Sequence, residues 1–134
     1  MSFEDQLDRL GLTIPNPAKP AGSYKPCLIV DNIAYISGQG PLLEDGTFAK
    51  GIIGKDVDIE TGQKHAQRCG LAILSALKNE VGDLNKVEQL IKITGFVNCT
   101  SDFTQQPTVI NGCSDLMKEV FGGKGVHALS LIHI

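Results

Sequence analysis

Apolar positions along this chain switch between helical and alternating spacing, and the switches predict the elements. Leu7 and Leu10 lie one turn apart behind Ser2, Glu4 and Asp5 and ahead of Gly11. That pattern predicts a short helix over residues 3–10, capped by Ser2, with acidic residues at its positive end and glycine at its exit. Four prolines, Pro15, Pro17, Pro20 and Pro26, then forbid regular helix from Thr13 to Pro26 and favour an extended crossing segment. The β-favouring runs 27–30 and 33–36 follow, separated by Asp31-Asn32, which tolerates the left-handed backbone of a two-residue turn, so a β-hairpin is expected. Its second strand runs into Ser37-Gly38-Gln39-Gly40-Pro41. After a turn at Glu44-Asp45-Gly46, residues 47–53 suit a third strand, made irregular by Gly51 and Gly54.

Asp58 opens the longest helical pattern, in which Ala66, Cys69, Ile73, Ala76, Leu77 and Val81 share a face down to Gly82. Gly62 and Gly70 weaken this helix without breaking it. Residues 87–98, with Leu90, Ile91, Ile93, Phe96 and Val97, read as a strand reached by a crossover, giving a βαβ-like unit. Pro107 suits the first turn of a second long helix that turns Val109, Ile110, Cys113, Leu116, Met117 and Val120 inward before Gly122-Gly123. The apolar segment 126–134 is placed to enter the sheet. The expectation is an α+β fold, a mixed sheet with two long helices on one face, in a single domain over residues 1–134.

Composition narrows the partners. The chain has 134 residues, 42% hydrophobic and 20% charged, with a net charge of −3. It has no block of Lys and Arg able to follow a phosphate backbone, so no nucleic-acid partner is expected. The start is acidic and polar, and no apolar run approaches the roughly 18 residues of a spanning helix, so neither a secretory signal nor a membrane partner is expected and the location is expected to be cytoplasmic. Cys27, Cys69, Cys99 and Cys113 include no close pair. Reduced thiols packed as small hydrophobes are expected, with no metal.

Most candidate motifs fail on their chemistry. Gly38-Gln39-Gly40 lacks the third glycine of a dinucleotide loop, and Gly46 to Gly51 is followed by Ile52 where a phosphate loop needs lysine. Residues 56–60 resemble the opening of a calcium loop, but Thr61 and Gln67 occupy the positions that need glycine and a bidentate carboxylate. The segment reads instead as a helix-start charge cluster. His65 is expected on the solvent side of its helix, and His127 and His133 have no carboxylate near them in sequence. Ser37 sits in no nucleophile elbow and has no assignable base, so its hydroxyl is cast as a hydrogen-bond partner. What remains is the strand end Ile36 to Pro41, where a hydroxyl, permissive glycines and an amide could converge on a small carboxylate.

These residues carry a resemblance. Residues 32–41, Asn-Ile-Ala-Tyr-Ile-Ser-Gly-Gln-Gly-Pro, are similar to the strand-plus-SGQ signature of the RidA/YjgF/UK114 family, and Gly22-Ser23-Tyr24 resembles its glycine-x-tyrosine. The likeness continues through Leu84-Asn85-Lys86-Val87, residues 91–98, Ser101-Asp102-Phe103 and Glu119-Val120-Phe121-Gly122, with features of the longer YjgF-like branch. It implies a chorismate mutase-like fold and a homotrimer with ligand pockets between subunits. It also implies a cofactor-free activity that hydrolyses 2-imino or 2-enamino acids to 2-keto acids and ammonia, with Tyr24, Ser37, Gly38 and Gln39 binding the substrate. An older label for the family is endoribonuclease L-PSP. The acidic charge balance and the lack of an assignable His or Lys pair argue against that chemistry here.

The sequence also departs from the pattern. Leu129 stands where the family carries an arginine after the second helix, and leucine cannot clamp a carboxylate. The family's last strand, which bears a site glutamate, has no counterpart before Ile134. The resemblance therefore implies a chain truncated at its C-terminus, with the last strand missing, an unpaired sheet edge, weak stability or edge-driven association, and imine hydrolysis no faster than in buffer. The alternative reading is a module that binds small carboxylates without turning them over.

Overall fold

A computed structural model describes residues 2–134. Helix α1, Phe3–Arg9, starts at Ser2, whose hydroxyl accepts from the Asp5 N–H at 2.9 Å while the Asp5 carboxylate accepts from the Ser2 N–H at 3.2 Å. These reciprocal bonds satisfy two of the donors that every helix start leaves over. Leu7 is its buried residue. Phe3 packs edge-to-face on Phe121 with ring centroids 4.8 Å apart, and Asn85 Oδ1 accepts the Phe3 N–H at 3.0 Å, so α1 is docked on a distant part of the chain.

Strands β1, Cys27–Val30, and β2, Ile33–Ile36, form the expected antiparallel hairpin. Asp31 and Asn32 take φ of 51° and 62°, the paired left-handed turn whose twist matches that of the strands. The register sets Cys27 opposite Ile36 on the face toward the core, and Leu28 opposite Tyr35 and Val30 opposite Ile33 on the other face.

The expected third strand does not form. Residues 47–53 contribute only isolated bridges, Leu42 with Phe48 and Ile53 with Val57 and Cys99. Side chains claim the backbone donors a strand would use: Asp45 Oδ1 accepts from Thr47 N–H and Oγ1, and Asp56 Oδ1 accepts from Ile52 N–H. Gly51, at φ 135°, packs so closely that a Cβ there would stand 2.3 Å from Val57 Cγ2.

Helix α2, Ile59–Val81, has the expected bounds, with Asp58 accepting the Thr61 N–H at 2.8 Å and Gly82 at φ 84° closing it. Its buried surface is wider than one stripe. Ala66, Ala76 and Leu77 are buried as expected, but Cys69, Ile73 and Val81 are only partly so, while Gly70, Leu71, Ala72, Leu74 and Ser75 lie inside. The reason is that α2 packs on the hairpin and on helix α3, Gln106–Phe121, at once. Helix α3 buries every residue of its expected stripe and ends at Gly122, φ 65°. The two helices meet backbone to backbone: a Cβ on Gly112 would fall 1.9 Å from the Gln63 carbonyl oxygen, and Gln63 Nε2 donates to Thr108 O at 2.9 Å. Gly70 likewise admits Leu116 and Cys113. The glycines that weaken α2 in isolation let it approach its neighbour.

Strand β3 covers Lys92–Val97, later than the expected start at Val87, because a 3₁₀ turn at Leu84–Lys86 intervenes. Strand β4, Ala128–His133, enters the structure as the tail segment's apolar character implied and pairs with β3 in parallel, Lys92 to Ala128 through Val97 to His133. The crossover between paired parallel strands is thus α3 rather than α2. The strands come as two two-stranded sheets, and no Cα of the hairpin lies within 8 Å of one in β3 or β4. Both sheets pack on the α2–α3 layer, which keeps the two long helices on one face. The opposite face exposes Leu28, Val30, Ile33 and Tyr35 from the hairpin and Phe96 and Ile132 from the other sheet.

Candidate ligand-binding site

The end of β2 and the proline-rich segment enclose a cavity of about 210 Å³. Prolines hold the segment extended, and Ser75 Oγ, buried on α2, donates to Pro15 O at 2.7 Å and ties it across the helix. Ala72, Ser75 and Ala76 of α2 form the floor, while Tyr24, Gly38, Gln39 and Gly40 form the wall at the strand end.

The expected site residues divide between the cavity and its support. Tyr24, half exposed, lines the wall with its ring 3.6 Å from the Cβ position of Gly22, and its hydroxyl accepts the Ala21 N–H at 3.3 Å. Gly38 and Gln39 also line it, and Gln39 Nε2 donates to Ser37 O at 3.1 Å, an internal bond that fixes the amide at the strand end. Ser37 stands behind the wall. Its hydroxyl donates to Lys25 O at 2.7 Å and its N–H to Pro26 O at 2.9 Å, which pins the SGQ turn to the segment carrying Tyr24.

Among the described residues the walls carry no Asp or Glu, and Lys19 is their one charged side chain. Beyond the Leu42 end, Arg68 Nε donates to Leu42 O at 2.6 Å. An anion entering here meets no like charge.

A family profile described as "YjgF/chorismate_mutase-like, putative endoribonuclease" matches residues 4–133. The chain belongs to this family. Protein TCP17 of Trypanosoma cruzi is 37% identical over 123 residues, which span 91% of this chain and 77% of that protein. The crystal structure of Atu1372 from Agrobacterium tumefaciens, a protein of unknown function, superposes with a TM-score of 0.89 at 38% identity, covering 99% of this chain and 81% of that one. The crystal structure of a putative endoribonuclease from Shewanella oneidensis MR-1 superposes with a TM-score of 0.96 at 29% identity, covering 100% of this chain and 89% of that one.

In this YjgF-family chain Leu129 lies in β4 opposite Ile93, away from the cavity walls. Sequence reasoning missed two polar contacts. One is Arg68 to Leu42; the other is His127, whose Nδ1 donates to the Ala128 carbonyl at 2.8 Å and whose Nε2 is hydrogen-bonded to Ser114 Oγ at 2.9 Å. Each joins positions far apart in sequence, and no local spacing announces it. All four cysteines are free thiols; burial raises Cys69 to about 11 and Cys113 to about 12. Among the described residues no group of His, Cys, Asp and Glu could hold a metal ion, and no helix is long and apolar enough to cross a membrane.

Proposed function

We propose that the cavity receives a small 2-imino or 2-keto acid by its carboxylate, and that the protein acts as an imine deaminase of the YjgF family. Water adds to the C=N carbon, the nitrogen takes up protons, and ammonia leaves as the C=O forms. The observation that carries this reading is the cavity itself: a small space at the SGQ strand end, with a tyrosine hydroxyl, an amide and a lysine on its walls and no carboxylate. Such a site works by holding the anion and water in place, since imine hydrolysis asks mainly for orientation and charge complementarity. The helix-free face, with Tyr35 58% and Phe96 61% exposed, supports assembly as a homotrimer that would cover it.

The test couples an imine-generating dehydratase to a semicarbazide trap. Diversion of 2-iminopropanoate to 2-keto acid, lost in Gln39→Ala, is the expected result; a rate equal to buffer refutes turnover. A second reading, binding without turnover, is favoured by Leu129 and by cavity walls without His, Asp or Glu. Calorimetric binding of 2-oxobutanoate in the absence of imine turnover selects it.

A further inference from the structure

Arg68 lies beside the Leu42 end of the cavity and forms no ion pair with any described residue. It lies one helical turn before Ala72 on α2, and Ala72 and Leu42 both line the cavity. The Nε bond to Leu42 O fixes the guanidinium at that end. Lys25, Lys64 and Lys78 each reach a glutamate, but Arg68 forms no ion pair, and its Nη atoms donate to no acceptor among the described residues. An arginine has five N–H donors; with Nε committed, the four on Nη1 and Nη2 remain, and their paired geometry is the one that grips a carboxylate bidentately. Arg68 is half-buried and is not itself a wall residue; it adjoins the cavity through Leu42 and Ala72.

We propose that Arg68 is the carboxylate-recognising cation of this cavity, with its Nη groups taking the two oxygens of a small 2-keto or 2-imino acid at the Leu42 end. This rests on reading the cavity as a carboxylate site, and it supplies from α2 the cation that Leu129 cannot provide from β4. Lys19, on the proline-rich segment, adds a second positive charge to the walls without the fork geometry. The ligand's 2-position then lies toward Gln39 and Tyr24.

The experiment measures binding of 2-oxobutanoate and of its neutral carboxamide by calorimetry and ligand-observed NMR, for the natural chain, Arg68→Ala and Arg68→Lys. The expected result is at least a tenfold loss of 2-oxobutanoate affinity in Arg68→Ala and a smaller loss in Arg68→Lys. Carboxamide binding should be unchanged, and millimolar guanidinium ion should partly rescue Arg68→Ala. Equal affinity of the natural chain and Arg68→Ala for 2-oxobutanoate overturns the role of Arg68 and leaves the cavity reading standing. Parallel loss of both probes makes Arg68 a brace for the Leu42 loop and also overturns it. Failure of the natural chain to bind 2-oxobutanoate overturns the cavity reading and this assignment with it. If circular dichroism shows Arg68→Ala unfolded, Arg68→Lys decides: discrimination against the carboxamide that matches the natural chain's refutes a guanidinium clamp, and reduced discrimination supports it.

Discussion

Replacing Gly112 with alanine tests the helix contact that holds the molecule's centre. The added Cβ would stand 1.9 Å from the Gln63 carbonyl oxygen and 2.9 Å from Gln63 Cα, both backbone atoms that cannot rotate away. Relief requires α2 and α3 to separate by more than 1 Å (roughly the shortfall from ordinary contact), which loosens cores on both sides of the crossing. Overpacking typically costs about 1–3 kcal/mol and more when backbone must move, while Gly→Ala in a helix returns about 1 kcal/mol. Because backbone must move here, the cost sits at the upper end of that range and a net loss of about 2 kcal/mol follows, or a fall in Tm of roughly 8 °C for a chain of this size. Gly70→Ala is the graded comparison: its Cβ meets Leu116 Cδ2 at 2.9 Å and Cys113 Sγ at 3.2 Å, side-chain ends that can shift, so its net effect should stay within about 1 kcal/mol. Gly123→Ala, with nothing within 4 Å, is the control. Thermal and urea unfolding at one fixed protein concentration decide the order, because assembly would shift Tm with concentration. A Gly112→Ala chain no less stable than Gly70→Ala would refute the backbone-to-backbone crossing.

The remaining expectations are shorter. Burial holds the Cys69 and Cys113 thiols neutral up to about 11 and about 12, so their contribution to stability is complete below the unfolded thiol value near 9 and is lost as pH rises toward the folded values; urea midpoints from pH 8 to 11 should fall less steeply in a Cys69→Ala/Cys113→Ala chain than in the natural one. Asp58 is held below the usual carboxylate value by the Thr61 hydrogen bonds, so its cap contributes fully above the usual value and is lost as pH falls below it, through the lowered folded one. Asp58→Asn should keep the cap and flatten the acid limb of the stability curve, and an unchanged acid limb would contradict this. Asn32→Gly, at φ 62°, relieves a left-handed residue and should raise stability by about 0.5 kcal/mol in urea unfolding. By light scattering the natural chain should run as a trimer and a Leu28→Asp/Tyr35→Asp chain as a monomer; identical masses would count against assembly through the helix-free face.

Where local chemistry decides structure, the sequence was sufficient. Ser2 with Asp5, Asp58 with Gly82, and Asp31-Asn32 each carry their own cap or turn, and those boundaries lie where the spacing put them. The third strand was not legible because Asp45 and Asp56 compete for its backbone donors, a choice that β-propensity does not record. The buried stripe of α2 was read too narrowly, since one period describes one partner and this helix has two. At the site, the motif indicated Tyr24, Gly38 and Gln39, and these share a cavity, but the supporting position of Ser37 depends on the Lys25 carbonyl. Arg68 meets its acceptor across 26 positions, and only the folded chain brings the two together.

The docking of α1 has a consequence for the order of events during synthesis. Its partners include Phe121 and Asn85, so α1 leaves the ribosome before the surface on which it rests has been made. At roughly 5–20 residues per second, that interval is on the order of ten seconds. Seven helical residues cannot hold their shape alone for so long in water. Phe3 and Leu7 therefore wait without their packing partners, and α1, made before the surface it docks on, is among the last elements to settle.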